Sequence, residues 1–114
     1  MSLADHFDTD ALVMLRDIMD DEFEGLISMY LDDSGQRLHQ IREALQQGEA
    51  RKLQELSHSF KGASSNVSAL PLAALLQQLE DAGREGCLDG AEVLLQRVEQ
   101  EFHLVTALLR EQLA

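Results

Sequence analysis

The sequence predicts an all-α protein: an antiparallel up-down-up-down four-helix bundle with a short additional N-terminal helix. Three observations lead there. The composition is 45% hydrophobic but only 4% aromatic, with one Pro and no Trp, which favours packed Leu-, Ala-, Val- and Met-rich helices over a β-sandwich. Apolar residues recur at spacings of three and four, as one face of a helix requires. The breaks between these stripes are short, and short connections imply antiparallel neighbours. A length of 114 residues suits one domain with one modest core, expected to span 1–114.

The elements follow in order. Leu12, Leu15 and Met19 give a brief amphipathic helix over about 9–19, expected to cover one end of the bundle. Asp20 and Asp21 are candidate N-terminal signals for the next helix. Its stripe runs Phe23, Leu26, Ile27, Tyr30, Leu31, Ser34, Leu38, Ile41, Leu45 and should end near Gly48. A third helix is expected over about 50–66. Pro71 suits the first turn of the fourth, where its missing N–H costs little, and Leu72, Leu75, Leu76, Leu79 and Ala82 form that helix's buried side. Gly83, Gly86 and Gly90 are expected to break the pattern, with Asp89 as a candidate cap. The last helix carries Ala91, Leu94, Leu95, Val98, Phe102, Val105, Leu108, Leu109 and Leu113. Met14, Met19 and Met29 are expected to pack in the core or at its edge.

Charge and composition remove several functions. A formal net charge of −12 argues against nucleic acid, whose phosphates would be repelled, and against anionic membrane surfaces. No stretch approaches the roughly 18 to 20 apolar residues that span a bilayer. The single Cys87 excludes an internal disulfide. With no basic segment followed by an apolar run at the N-terminus, a reducing cytoplasmic location is expected.

Chemistry concentrates in Leu56-Ser57-His58-Ser59-Phe60-Lys61-Gly62-Ala63-Ser64-Ser65-Asn66. Leu53, Leu56, Phe60, Ala63 and Val67 form the buried stripe, and His58 lies about 170° from its centre, facing water. A lone exposed histidine is ordinarily a solvated side chain. Here Lys61 stands at i+3 and Gly62 at i+4, both one turn from the ring. A mid-helix glycine costs about 1 kcal/mol relative to alanine, so the bare surface suggests a docking partner that closes over the imidazole. The ammonium can attract a phosphoryl group arriving at the ring. Lys61 and Ser65 flank that bare patch.

Two rivals start from the same residues. Glu55-x-x-His58 matches one element of a di-iron bundle site, but such a site needs a second copy and two further inward-facing carboxylates; only one copy is present, and Leu56 and Phe60 on the buried side leave His58 facing outward. A non-catalytic acidic helical adaptor, binding a partner protein through its methionine-bearing first half, is the stronger rival. His6, in an N-terminus expected to fray, and His39 and His103, within long helices, lack acid or cysteine clusters and read as structural or solvated.

The His58 segment resembles the histidine-containing phosphotransfer (HPt) domains of two-component phosphorelays. His58, Ser59, Phe60, Lys61, Gly62, Ala63, Ser64, Asn66, Val67, Ala69, Leu79 and Glu80 occupy positions of that family's pattern. Ser57 stands where Ala is usual, and Ser68 where Gly is usual. The resemblance implies that His58 is the phosphoacceptor through Nε2. It makes Lys61 the phosphate-stabilising cation, Gly62 the clearance residue for a receiver domain, and Glu80 a residue that orients the imidazole. Ser59 and Ser65 would join Gly62 in partner binding. The implied partners are receiver domains of a hybrid sensor kinase and a response regulator. The implied cofactors are none on this chain, with Mg²⁺ bound by the receiver, and no metal ligands are expected here. The chain shows no Gly-rich nucleotide loop, so neither ATP binding nor autokinase activity is expected. A stand-alone, monomeric phosphocarrier is the resulting expectation.

Overall fold

The computed structural model describes residues 2–113, and no strand occurs among them. Five α-helices follow a short 3₁₀ turn at Leu3–Asp5: α1 (Thr9–Met19), α2 (Phe23–Gln46), α3 (Ala50–Asn66), α4 (Leu70–Glu85) and α5 (Ala91–Leu113). The long helices form a closed ring of contacts, α2 with α3, α3 with α4, α4 with α5 and α5 with α2, while α1 lies on α2. Inside the ring, Ile27, Ile41, Leu53, Phe60, Leu72, Leu76, Leu79, Leu95, Val98, Val105 and Leu109 are fully buried. Two buried aromatics meet Phe102 edge-on, with Phe60 at 5.4 Å and Tyr30 at 6.2 Å between ring centroids. That arrangement suits the ring quadrupoles.

The α1–α2 junction departs from expectation. Neither Asp20 nor Asp21 caps α2: both lie within a turn that leads straight into it, and no side chain accepts a hydrogen bond at its start. Asp20–Glu22 form a 3₁₀ turn that runs directly into Phe23, and Glu22 before it is helical with no side-chain cap. Asp20 instead ends α1, at φ 47°, with its N–H donating to the Arg16 carbonyl. The cap that does form is Asp8, whose carboxylate accepts from the Ala11 N–H at 3.2 Å.

The N-terminus is anchored rather than frayed. Phe7 is buried in the core, and the Asp8 N–H donates to the Ser68 carbonyl at 2.9 Å. His6 Nδ1 lies 2.6 Å from Glu101 Oε2 on α5. One apolar side chain and two hydrogen bonds to residues distant in sequence thus fix the segment leading into α1.

Glycine 83 does not break α4; it lies inside the helix, where α4 presses on α3. A Cβ there would sit 2.7 Å from the Ala50 carbonyl oxygen and 2.7 Å from the Gln54 nitrogen. Only a hydrogen fits, so this glycine sets the α3–α4 spacing. The helix ends three residues later at Gly86, left-handed at φ 69°, as a C-terminal glycine commonly is. At the start of α5 the Leu94 N–H donates to the Gly90 carbonyl at 3.3 Å. The boundary residue is therefore Gly90, at φ 80°, and not Asp89.

The methionine expectation fails for two of three. Met19 packs on the core's edge, but Met14 and Met29 are 62% and 64% exposed. With Ile18 at 73% exposure, they leave apolar surface on α1 and the start of α2. These helices pack through a narrow stripe, which leaves the flanking positions in water.

Candidate functional site

Helix α3 turns Leu53, Ser57, Phe60 and Ser64 inward, and that periodicity sends His58 outward. Its side chain is 68% exposed, while the Glu80 side chain beneath it is only 8% exposed. Tight α3–α4 packing at Gly83 lies one turn from this pair along both helices, Gln54 to His58 and Gly83 to Glu80. Both carboxylate oxygens of Glu80 lie 3.2 Å from His58 Nδ1.

Glu80 collects three donors. Lys61 Nζ approaches Oε1 at 2.8 Å, Arg84 Nη2 approaches Oε2 at 3.1 Å, and the imidazole supplies the third. Burial would push this carboxyl's pKa up; hydrogen bonds and charges from Lys61 and His58 outweigh burial and hold it below the ordinary glutamate value. An ionised carboxylate can only accept. Nδ1 therefore carries the proton, and in the neutral ring the lone pair is left on Nε2. A fixed tautomer with a free nucleophilic nitrogen is what this arrangement provides.

Lys61 is less free than its spacing suggested. Besides Glu80, its Nζ donates to Gln77 Oε1 at 2.8 Å. Gln77 Nε2 donates to Asp81 Oδ1 at 2.9 Å, and Arg84 Nη1 donates to the same oxygen at 2.8 Å. Gln77, Glu80, Asp81 and Arg84 share one stripe of α4 at spacings of three and four. Their periodicity was readable in the sequence. Which residues of α3 that stripe meets is set only by how α3 and α4 pack.

Gly62 faces open space, with nothing within 4 Å of where a Cβ would stand. Ser59 is exposed, and its Oγ accepts from Arg37 Nε on α2 at 3.1 Å. Ser65 is exposed on the same helix. Beside these positions, Leu26, Met29, Tyr30, Arg37, Ala63 and Val67 line a shallow groove between α2 and α3. Arg37 had no signal in the sequence, and Leu26, Met29 and Tyr30 read there only as core or core edge, since the groove depends on how α2 lies against α3. Ser57, the departure from the family's alanine, is fully buried with no partner for its hydroxyl. Ser68, the departure from glycine, adopts φ 64°. The backbone there keeps the left-handed turn that glycine would favour.

Among the described residues, no three His, Cys, Asp or Glu side chains gather as a metal site would require. Glu55, the carboxylate of the di-iron pattern, pairs with Arg51 at 3.3 Å on the exposed surface.

A model of the Hpt domain family matches residues 25–111. No curated protein sequence matches. Among solved structures, the chain is similar to histidine-containing phosphotransfer protein B (HptB) from Pseudomonas aeruginosa PAO1. They share 38% identity over 94% of this chain and 93% of that one, with a TM-score of 0.91. It also shares the fold of histidine-containing phosphotransfer protein ZmHP2 from maize, at 21% identity over 90% of this chain and 82% of that one, with a TM-score of 0.79. The family match spans α3, the exposed imidazole and the buried carboxylate that holds it: the chain belongs to the Hpt domain family.

Proposed function

We propose that this protein is a phosphorelay intermediate. His58 accepts a phosphoryl group from a receiver-domain aspartate, that of a hybrid sensor kinase, and passes it to the receiver of a response regulator. The observation that carries this reading is the exposed imidazole with Nδ1 held by a buried carboxylate. In the transfer, the Nε2 lone pair forms the N–P bond as the bond from phosphorus to the aspartyl oxygen breaks, and the freed carboxylate leaves with that electron pair. Nδ1–H stays on Glu80, whose charge offsets the positive charge developing on the ring. The reverse reaction follows the same path.

In this account Lys61 stabilises the phosphoryl oxygens and Glu80 orients the ring. Gly62 supplies clearance, and Ser59 and Ser65 lie at the rim of the receiver contact. The shallow groove between α2 and α3, where Asp33, Arg37 and Asn66 stand among apolar side chains, extends that contact. Any Mg²⁺ belongs to the receiver, and the chain needs neither a nucleotide nor a kinase activity of its own. Contact pairs support an antiparallel, up-down-up-down order: Tyr30 with Ser64 and Arg37 with Ser59, and Lys61 with Gln77 and His58 with Glu80. Within each set, numbers rise on one helix as they fall on the other. We place the protein in the cytoplasm as a monomer.

Transfer from a panel of phosphorylated receivers to wild type and to His58→Gln tests the function. An acid-labile, base-stable label on wild type alone is expected. The exposed Met14, Ile18 and Met29 also suit a simple adaptor, and that reading gains if a well-folded wild type takes no label.

A further inference from the structure

We propose that Gln77 is a positioning residue for Lys61: its side-chain amide tethers the ammonium beside His58 without neutralising it. This rests on the reading of His58 as phosphoacceptor. A closed ring of five side chains carries it. Lys61 bridges Glu80 and Gln77, Gln77 bridges Lys61 and Asp81, and Arg84 bridges Asp81 and Glu80.

The chemistry of the ring dictates the amide. Lysine only donates and a carboxylate only accepts. A side chain joining Lys61 to Asp81 must therefore accept at one end and donate at the other. Gln77 does both, with Oε1 toward Lys61 at 2.8 Å and Nε2 toward Asp81 at 2.9 Å. Its orientation is thereby locked, and Lys61 retains one of its three N–H donors.

Charge balance then assigns the roles. Lys61 and Arg84 offset Glu80 and Asp81, so the ring is neutral at rest. A dianionic phosphoryl group on His58 draws Lys61 away from Glu80, which keeps Arg84 and the imidazole as partners. Gln77 is the one partner of Lys61 that does not compete electrostatically with the phosphoryl group. A carboxylate in its place would neutralise the ammonium and repel Asp81.

The test is single-turnover transfer from one phosphorylated receiver domain, followed across receiver concentration and pH. Gln77→Ala is expected to lower the maximal rate about 3- to 10-fold, the effect of one hydrogen bond of ordinary net strength. Its half-saturating receiver concentration should stay unchanged. Gln77→Glu should be slower than wild type at neutral pH and recover relative to it as the new carboxyl protonates. Adding Gln77→Ala to Lys61→Ala should cause no further loss, because the amide acts through the ammonium. Wild-type rates in Gln77→Ala, or independent losses in the double variant, would overturn the proposal. Loading with phosphoramidate, read by ³¹P NMR, separates the two levels. A wild type that takes no phosphoryl group on His58 brings down the function itself, whereas a wild type that loads while Gln77→Ala transfers normally brings down only the tether.

Discussion

Glu80 is where burial and charge oppose each other most directly. Burial raises its pKa, and the Lys61 and His58 interactions more than reverse the rise. A carboxyl whose folded pKa is depressed contributes stability that is present above its ordinary value of 4.5 and lost as pH falls through the lower folded value. Glu80→Gln should therefore unfold more easily than wild type at pH 7, and the gap should close below about pH 4.5. Denaturant titrations across pH measure it, and a gap independent of pH would mean that folding leaves the pKa of this carboxyl unshifted. Ser68 supplies a second residue-level case. At φ 64° a side chain is strained by roughly 1 kcal/mol, so Ser68→Gly should stabilise the fold by about 0.5 kcal/mol after the unfolded chain's added freedom is counted. A shift of the urea midpoint in the opposite direction would show that the turn is unstrained.

At the scale of elements, the α3–α4 pair decides whether the site exists. Gly83→Ala places a methyl 2.7 Å from backbone atoms of Ala50 and Gln54, which cannot rotate away as a side chain would. A loss of about 2–3 kcal/mol is expected from such overpacking, together with a longer His58–Glu80 separation and slower transfer. Thermal unfolding and transfer rates check both; an unaltered stability would mean that the helices separate without cost. The same pair shows what the sequence could reveal. His58, Lys61 and Gly62 lie within five residues of one helix, so helical periodicity alone set their common face. Leu53, Phe60, Leu72, Leu76 and Leu79 were equally readable as core, because burial follows the 3.6-residue repeat. Gly83 was misread because its role depends on a helix thirty residues away in sequence. Arg84, Gln77 and Arg37 escaped for a related reason: their partners become apparent only once α2, α3 and α4 are in register. Asp20 and Asp21 failed as caps because they belong to the 3₁₀ turn that leads into α2, Asp20 ending α1 at its other side.

Over the whole molecule the net charge is −12, yet Lys61, Arg84, Arg51 and Arg37 stand around His58 and its neighbours. The remainder is strongly acidic and repels itself. Raising the salt from about 0.01 M to about 0.5 M shortens the Debye length from roughly 30 Å to a few Å. It should therefore raise the melting temperature, although cross-bundle pairs such as Arg42 with Glu92 and Glu99 are screened as well. A fall would show that ion pairs outweigh the long-range repulsion. The central claim is narrower: one nitrogen of one histidine carries the phosphoryl group while the other stays on Glu80. Long-range ¹H–¹⁵N NMR of the ¹⁵N-histidine-labelled, phosphorylated protein tests it most directly. The account predicts that only His58 shifts, with phosphorus on Nε2 and the proton on Nδ1. Phosphorus on Nδ1, or on His6, His39 or His103, would contradict it.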